Sequence, residues 1–345
     1  MEFKKGDIYG THRVISPKGV LPQPADVVDN TMEIYNNEVL IDVHTLNIDS
    51  ASFTEISNRA NGDVEEIKRI ILEIVNTTGK HKNPWTGSGG MLIGRVAEVG
   101  PDYEGELKKG DKIATMVSLS LTPLKIDEII EIRPDIDQVD IKGQAILFQS
   151  GIYAKLPKDI PQTLALSVLD VAGAPAQTAK ICKPGDTVLV MGGGGKSGIL
   201  CCWQARKQVG INGTVICVDG FKKSINRAMS VNCADEYLVV NATDAVAMYE
   251  EIMDATEGQL ADVVINVVNI PNTEMSSIIS CKDGGLVYFF SMATSFTKAA
   301  LGAEGIGKDV TMLVGNGYTK GHSEVALQVL REDERIRNLF AQLYA

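Results

Sequence analysis

The chain has 345 residues, with 33 lysines and arginines against 44 aspartates and glutamates, and a formal net charge of −11. Its length suggests two domains at roughly 150 residues each, large enough to bury a core without disulfides or metals. The negative charge argues against a general binder of nucleic acid or of an anionic membrane surface, because both require a positively charged protein surface.

The first half is predicted to consist mainly of short strands, with β-rich runs at 38–45, 95–99, 112–117 and 143–153. One helix interrupts this pattern. Asp63 is a plausible N-cap, isoleucines recur at helical spacing from Ile67 to Ile74, and Gly79 ends the segment.

The second half alternates apolar strands with helices, which is typical of βαβ units in a parallel sheet. The strands are predicted at 187–191, 215–218, 237–240, 262–268 and 285–290, and the helices at 197–209, 222–231 and 246–256. Residues 323–343 form one predicted amphipathic helix. Two prolines, Pro157 and Pro161, mark the boundary between domains 1–157 and 158–319, with 320–345 as a possible completion of the first.

The compartment is predicted from what the sequence lacks. No apolar run approaches the ~18–20 residues that span a bilayer, and the polar beginning of the chain carries no signal-peptide stretch. The six cysteines all lie at or after position 182 and show no CxxC spacing. We therefore expect a cytoplasmic protein with buried thiols, without disulfides or a compact zinc motif.

The strongest local signal is a glycine cluster that follows the strand 187–191 and precedes a helix. Its G-x-G-x-x-G pattern assigns the tight turn to Gly193, the close approach of a pyrophosphate to Gly195 and helix–strand packing to Gly198. The free N–H groups at the helix start suit phosphates. The candidate cofactor contacts in the cluster are Gly193, Gly194, Gly195, Lys196, Ser197 and Gly198.

The next strand ends at Asp219, which can accept hydrogen bonds from adenosine ribose hydroxyls and would repel a 2′-phosphate. Lys222 and Lys223 follow closely and are compatible with a 2′-phosphate, so NAD is favoured and NADP stays possible. The Gly195-Lys196-Ser197 triplet also suggests a P-loop, but that motif needs a glycine at position 190, where the chain has Val190.

With this order of elements, the chain resembles the medium-chain dehydrogenase/reductase superfamily over nearly its whole length. The resemblance rests on 183–190, the glycine turn, Asp219, and two turns at 94–100 and 109–112. It implies an α/β fold: a β-rich GroES-like barrel domain and a Rossmann domain with a doubly wound parallel sheet. By this resemblance, Asn266, Val267, Val268, Ser291 and Met292 lie at strand ends that contact the nicotinamide ribose and carboxamide.

Many members of that superfamily hold a catalytic zinc through a Cys, a Gly-His-Glu triplet and a later Cys. Here Gly89-Gly90-Met91 stand at the triplet and Asn47 at the first Cys. Without thiolate or imidazole ligands a zinc site is not expected, and alcohol dehydrogenase chemistry that depends on a Lewis acid is in doubt.

The N-terminal segment 9–25, Tyr-Gly-Thr-His-Arg-Val followed by Pro-Lys-Gly-Val-Leu-Pro-Gln-Pro-Ala, resembles the L-erythro-3,5-diaminohexanoate dehydrogenases of lysine fermentation. This resemblance implies oxidative deamination of a diamino acid at its 3-amino group, giving 5-amino-3-oxohexanoate, ammonium and reduced cofactor. Hydride transfer requires a neutral amine, and a free alkylamine has a pKa of about 10.4, so a base or a desolvated pocket is needed.

Asp49 is the candidate base, because it follows the strand 38–45 at about the place where zinc members carry a substrate-contacting hydroxyl. Ser50 and Ser52 are candidates for hydrogen bonds to substrate or ribose. Arg13 is a candidate for a bidentate contact with the substrate carboxylate. Tyr9, His12 and Arg95 are alternatives for substrate binding.

Two other functions stay open at this point. One is a zinc-free quinone or enoyl reductase of the same superfamily, which needs no carboxylate opposite the nicotinamide. The other is a nucleotide-binding protein without chemistry. By analogy with the superfamily, a homodimer or homotetramer is expected, paired at a sheet edge near 286–290 or 309–314.

Overall fold

The structure is a computed structural model that describes residues 3–315 and 317–344, without the side chain of Ala51. The chain divides after Lys158 into two compact units, residues 1–158 and 159–345, called here the first and second unit. No helix within the described ranges is long and apolar enough to cross a membrane.

The first unit is built on antiparallel strands. A two-stranded ribbon, β1 (Val14–Ser16) and β2 (Val27–Val28), lies near its start. The main sheet has the order β6-β7-β3-β4-β5-β8. Its strands are β3 (Val39–Asn47), β4 (Met91–Val99), β5 (Lys112–Thr115), β6 (Leu124–Arg133), β7 (Gln138–Leu147) and β8 (Tyr153–Lys155). Short 3-10 turns occur at Thr11–Arg13 and Pro134–Ile136.

Two helices follow β3. The first, α1 (Ser50–Arg59), was not predicted as a helix. The second, α2 (Val64–Thr78), begins and ends where the sequence indicates: the Asp63 carboxylate accepts two backbone N–H bonds, and Gly79 adopts a left-handed conformation with φ +75°. Its isoleucines are buried in the core formed by α1 and the sheet.

The second unit is a parallel sheet covered by helices. The strand order is β11-β10-β9-β12-β13-β14, with β9 (Thr187–Met191), β10 (Thr214–Asp219), β11 (Glu236–Val239), β12 (Ala261–Asn266), β13 (Cys281–Phe289) and β14 (Val310–Val314). The helices are α3 (Gln162–Leu169), α4 (Gly173–Ile181), α5 (Lys196–Val209), α6 (Lys222–Val231), α7 (Ala245–Ala255), α8 (Glu274–Ile279), α9 (Phe296–Ile306), α10 (His322–Glu332) and α11 (Glu334–Tyr344). The predicted Rossmann sheet is confirmed.

The C-terminal helix prediction is wrong in one respect. Residues 322–344 form two helices, because the Asp333 carboxylate accepts hydrogen bonds from the backbone N–H groups of Arg335 and Ile336 and begins α11 anew. Both helices pack on α3, and they also contact α4, α5 and α6. The C-terminal segment is therefore grouped with the second unit.

The sheet order also corrects the expected oligomer contact at 286–290. Strand β13 lies between β12 and β14, so its backbone groups are already paired on both sides. Strand β14 is an edge strand of this sheet. All six cysteines are free and buried.

Candidate active site

The glycine turn lies at the place where the parallel sheet reverses its strand order. Strand β9 has β10 on one side and β12 on the other. In register, Met191 is paired with Val218 and with Asn266, and Asn266 is paired with Phe289. The carboxyl ends of these strands therefore form one row, and ligands of open α/β sheets bind beyond such a row at the switch point.

Within the turn, the structural roles of the glycines differ in part from the predicted ones. Gly192, and not Gly193, has the left-handed φ of +80° that makes the turn. A Cβ at Gly193 would lie 2.4 Å from Cys217 Sγ, so this glycine allows close packing on β10. A Cβ at Gly198 would lie 2.1 Å from the Gly192 carbonyl oxygen, which fits the helix-packing role predicted for it.

The part of the turn around Gly195 is open. A Cβ at Gly195 would meet only the Gly192 oxygen, at 3.4 Å, and Gly195 precedes α5 without a side-chain cap. Ser197 lies in the first turn of α5. Lys196 forms an ion pair with Asp170 at 2.9 Å, and its ammonium lies 5.3 Å from the Tyr344 ring centroid. The start of α5 therefore presents backbone N–H groups of the kind that bind a pyrophosphate.

Asp219 ends β10 and is fixed by two backbone donors. Its carboxylate accepts hydrogen bonds from Gly194 N–H at 3.3 Å and from Phe221 N–H at 3.2 Å. The sequence analysis overlooked Phe221, whose ring is 73% exposed directly after this carboxylate. Lys223, in the first turn of α6, is exposed. A carboxylate beside an exposed aromatic ring suits a ribose and its adenine.

The remaining predicted cofactor contacts, at the ends of β12 and β13, differ in their surroundings. The Asn266 side chain is buried and fully used: it donates to Thr273 and Ser277 at 2.8 Å and accepts from Val268 N–H at 3.0 Å. The amide therefore anchors the strand end internally, and a contact of this residue with the cofactor stays a prediction. Val267 donates its N–H to the Met191 carbonyl, and a Val268 methyl group lies over Gly192.

Beyond β13, the Ser291 hydroxyl accepts a hydrogen bond from Ala293 N–H at 3.1 Å. Met292 is 90% exposed. This segment therefore leaves an apolar side chain and backbone groups uncovered at the carboxyl edge of the sheet. A role in contacting the nicotinamide stays a prediction for both residues.

In the first unit, Asp49 is the N-cap of α1. Its Oδ1 accepts the Ser52 N–H at 3.0 Å, while Oδ2 is buried without a hydrogen-bond partner. Ser52 is buried, and its hydroxyl is bonded to those of Thr86 at 2.6 Å and Ser88 at 2.8 Å. Ser50 is exposed and donates to Asp137 at 2.5 Å. Ser52 therefore supports the Asp49 carboxylate through its backbone N–H, while its hydroxyl is bonded to the hydroxyls of Thr86 and Ser88.

The position at which the superfamily resemblance places a zinc-binding histidine holds Gly90, with φ +96°. A Cβ there would lie 2.2 Å from the Asn47 carbonyl oxygen and 2.8 Å from Asp49 N. The backbone thus excludes any side chain at this position, and Asn47 itself accepts a hydrogen bond from Gln138 at 3.1 Å. No cluster of three or more His, Cys, Asp or Glu side chains suitable for a metal occurs among the described residues. The residues present do not fit the zinc site of the superfamily.

The proposed role of Arg13 in binding a substrate carboxylate is wrong. The guanidinium is fully buried and holds Glu38 through two bonds of 2.7 Å. Its remaining donors bind the carbonyl oxygens of Asp29, Thr31 and Glu33. All five N–H donors are used, so none is left for a ligand.

His12 belongs to the same buried cluster. Its Nδ1 accepts the Asp7 N–H, and its Nε2 lies 2.8 Å from the Glu38 carboxylate. Glu38 precedes β3 and Asp49 follows it, and the nine residues of this strand span ~30 Å at ~3.3 Å per residue. His12 and Arg13 are therefore held at the opposite end of the strand from Asp49.

The two other substrate candidates are not brought to Asp49 either. Tyr9 is 55% exposed beside Asp7, near the same end of β3 as His12. Arg95 is exposed on β4, opposite Asp42 and Lys112, and donates to the Gly110 carbonyl at 3.2 Å. Substrate binding by Tyr9 and Arg95 stays a prediction, and the surroundings of neither residue support it.

One residue near Asp49 was overlooked. His81 is fully buried, neither ring nitrogen has a hydrogen-bond partner of normal geometry, and the Asp49 charge acts on it. Burial lowers the pKa of His81 to about 4, although Asp49 opposes this effect. A single histidine in a polar turn gives no spacing signal, so only the tertiary structure reveals this pair.

Comparisons with known proteins agree with this architecture. A family model described as the L-erythro-3,5-diaminohexanoate dehydrogenase N-terminal domain matches residues 12–157. The L-erythro-3,5-diaminohexanoate dehydrogenase of Acetoanaerobium sticklandii is 59% identical over 342 residues, 99% of each chain. The enzyme of that name from Fusobacterium nucleatum is 57% identical over 344 residues, 99% of this chain and 100% of the relative.

Among solved structures, an alcohol dehydrogenase from Thermotoga maritima aligns with a TM-score of 0.54 and 16% identity, over 91% of this chain and 86% of that one. A likeness at this identity reflects the fold. The glycine turn on a six-stranded parallel sheet and the antiparallel sheet of the first unit give the chain the fold of this class of dehydrogenase. The relatives narrow this class further. The chain belongs to the L-erythro-3,5-diaminohexanoate dehydrogenase family and is an oxidoreductase, which confirms the resemblance of its N-terminal segment.

Proposed function

We propose that this protein catalyses the NAD-dependent oxidative deamination of L-erythro-3,5-diaminohexanoate at C3, giving 5-amino-3-oxohexanoate and ammonium. The substrate follows from the two relatives, which carry that name at 57% and 59% identity over nearly the whole chain. The observation that carries the cofactor is the glycine turn at the switch point, with the Asp219 carboxylate at the end of the adjacent strand.

The residues of the second unit fit a dinucleotide. The open face of Gly195 and the start of α5 would receive the pyrophosphate. The fixed Asp219 carboxylate would accept hydrogen bonds from the adenosine ribose and repel a 2′-phosphate, which favours NAD over NADP. Bound NAD supplies the chemistry of the reaction by accepting a hydride from C3.

Asp49 is the proposed partner of the substrate amine. A carboxylate binds an ammonium group and can accept its proton, and the amine must be neutral before hydride leaves its carbon. Because Asp49 caps α1 through Oδ1, its carboxylate is held in one orientation. The exclusion of a side chain at Gly90 supports a mechanism in which this carboxylate, and not a zinc ligand at position 90, lies at the reacting group.

The test measures the absorbance of NADH at 340 nm with NAD and the diamino acid at mildly alkaline pH, with and without a chelator. We expect turnover in both conditions, with one ammonium released per NADH. Turnover of quinones or enoyl compounds without turnover of the amine would instead favour a reductase.

A pair of variants isolates the Asp49 charge from its capping role. Asp49→Asn keeps an N-cap side chain, and we expect kcat/KM to fall by about 100-fold or more, the order of a general base. Asp63→Asn is the matched control, because Asp63 caps α2 in the same way; it should leave kcat/KM nearly unchanged. Asp49→Asn with activity within threefold of the wild type would refute the assignment.

A further inference from the structure

Three buried polar atoms of the first unit, Asp49 Oδ2 and both ring nitrogens of His81, have no hydrogen-bond partner of normal geometry. Buried polar atoms are nearly always hydrogen-bonded, so each exception calls for an explanation. His12 of the same unit shows the ordinary arrangement, since both of its ring nitrogens are engaged, by Asp7 N–H and by Glu38.

The backbone of a glycine pair brings Asp49 and His81 together. A Cβ at Gly89 would lie 2.5 Å from the His81 carbonyl oxygen, and a Cβ at Gly90 would lie 2.8 Å from Asp49 N. The two residues therefore contact consecutive positions of one short segment. This closeness requires glycine at both positions, because any side chain would push one of the two residues away.

The segment that carries His81 is clamped to the start of α1. Asn83 donates its side-chain N–H to the Ser52 carbonyl at 3.1 Å, and its backbone is bonded to Ser88 and Gly87. The hydroxyls of Thr86 and Ser88 bind the Ser52 hydroxyl. Because Ser52 also donates its N–H to Asp49, the His81 segment and the Asp49 carboxylate are held as one assembly.

The protonation state of His81 follows from its burial. Desolvation lowers its pKa to about 4, so the imidazole is neutral near pH 7 and carries one N–H donor and one acceptor nitrogen. Asp49 is the charged group among the described residues that acts on the ring, and the backbone of Gly89 and of His81 itself also acts on it. The adjacent Lys80 directs its ammonium to the carbonyl oxygens of Pro22, Gln23 and Ala25.

We propose that His81 is a positioning residue for the deamination reaction: its imidazole donates one N–H to Asp49 Oδ2 and holds the carboxylate in its working orientation. This inference rests on the proposed function of Asp49. The imidazole N–H and Asp49 Oδ2 match as donor and acceptor, and each is buried without another hydrogen-bond partner of normal geometry. The ring does not contact the substrate, since it is fully buried.

The test is a double-mutant cycle. His81→Leu should lower kcat/KM for the diamino acid by about 10- to 100-fold, the worth of one hydrogen bond to a charged group, and move the acid limb of its pH profile to higher pH. In an Asp49→Asn background, His81→Leu should lower kcat/KM by less than twofold, because the carboxylate that His81 positions is absent. His44→Leu, at an exposed position of β3, is the control and should change neither quantity.

An equal loss in both backgrounds, or an unshifted acid limb, would overturn the proposal and leave His81 a packing residue. If His81→Leu does not fold, His81→Asn and His81→Gln replace it. Their amides mimic the two ring nitrogens, so one variant should retain more activity than the other, and equal activities would refute the hydrogen bond.

A measurement without turnover separates this inference from the proposed function. In ¹⁵N-histidine-labelled protein, one of only four histidines should stay neutral down to about pH 4 and be absent in His81→Leu. Its N–H resonance should shift in Asp49→Asn and not in Asp63→Asn. An unmoved resonance overturns the His81 inference even if the enzyme deaminates its substrate. A shifted resonance in a protein that does not deaminate the substrate would leave the hydrogen bond standing and refute the proposed function.

Discussion

Replacing Glu38 with Gln tests whether the N-terminal cluster is structural. The Glu38 side chain is 1% exposed and that of Arg13 is fully buried. The carboxylate accepts two bonds from Arg13, one from His12 and one from Tyr35 N–H. The amide keeps the shape but leaves the arginine charge buried without a counter-charge, which costs about 3–5 kcal/mol. For a unit of this size that lowers the Tm of the first unit by about 6–20 °C.

The assay is thermal unfolding followed by circular dichroism, with KM for the diamino acid measured below the transition. Arg13→Lys should also lower Tm, because it loses the bidentate contact, while KM stays within about twofold. A raised KM with an unchanged Tm would refute the structural role of Arg13 and restore it as a substrate-binding residue.

The pH dependence of the same unit has a definite sign. Burial alone would raise the pKa of Glu38, but the bonds from Arg13 and His12 outweigh burial and hold the pKa below its ordinary value of 4.5. The stability that Glu38 contributes is therefore present above pH 4.5 and is lost as the pH falls through the lowered pKa. The acid unfolding of Glu38→Gln should therefore lack the loss of stability that protonation of Glu38 causes in the wild-type protein.

Four further substitutions test the second unit. Gly198→Ala should lower both Tm and NADH affinity, because its methyl group would lie 2.1 Å from the Gly192 carbonyl oxygen. Gly195→Ala should leave Tm unchanged, because its methyl group would lie 3.4 Å from that oxygen, and should weaken NADH binding measured by fluorescence. Asp219→Asn should reduce the ratio of kcat/KM with NAD to that with NADP by about tenfold, the effect of ~1.4 kcal/mol, and an unchanged ratio would remove Asp219 from cofactor selection. Asp333→Ala should lower the free energy of unfolding by about 1–2 kcal/mol in urea denaturation through loss of the α11 cap.

The features that local sequence determines were predictable. The helix α2 has an N-cap at Asp63, a regular isoleucine face and a terminal glycine, and all three signals lie within one segment. The strands of the parallel sheet are short apolar runs with helices between them, so the alternation of strands and helices could be predicted. Helix α1 was missed because its buried face rests on Phe53 and Ile56, too few positions for a periodic signal.

The features that depend on distant contacts were not predictable. Arg13 resembles an anion-binding residue in the sequence, and only the fold brings Glu38, 25 positions away, onto its guanidinium. Asn266 appears at a functional strand end, yet its amide is satisfied by Thr273 and Ser277 after the chain turns back. His81 lies 32 positions from Asp49, and the glycine pair at 89–90 brings them together only in three dimensions.

The central claim is that hydride passes from C3 of the diamino acid to the cofactor. It is tested most directly with substrate deuterated at C3, by mass spectrometry of the reduced cofactor after a single turnover. The account predicts one deuterium in NADH for each ammonium released. NADH without deuterium, formed from the C3-labelled substrate, would contradict oxidation at the C3 amine.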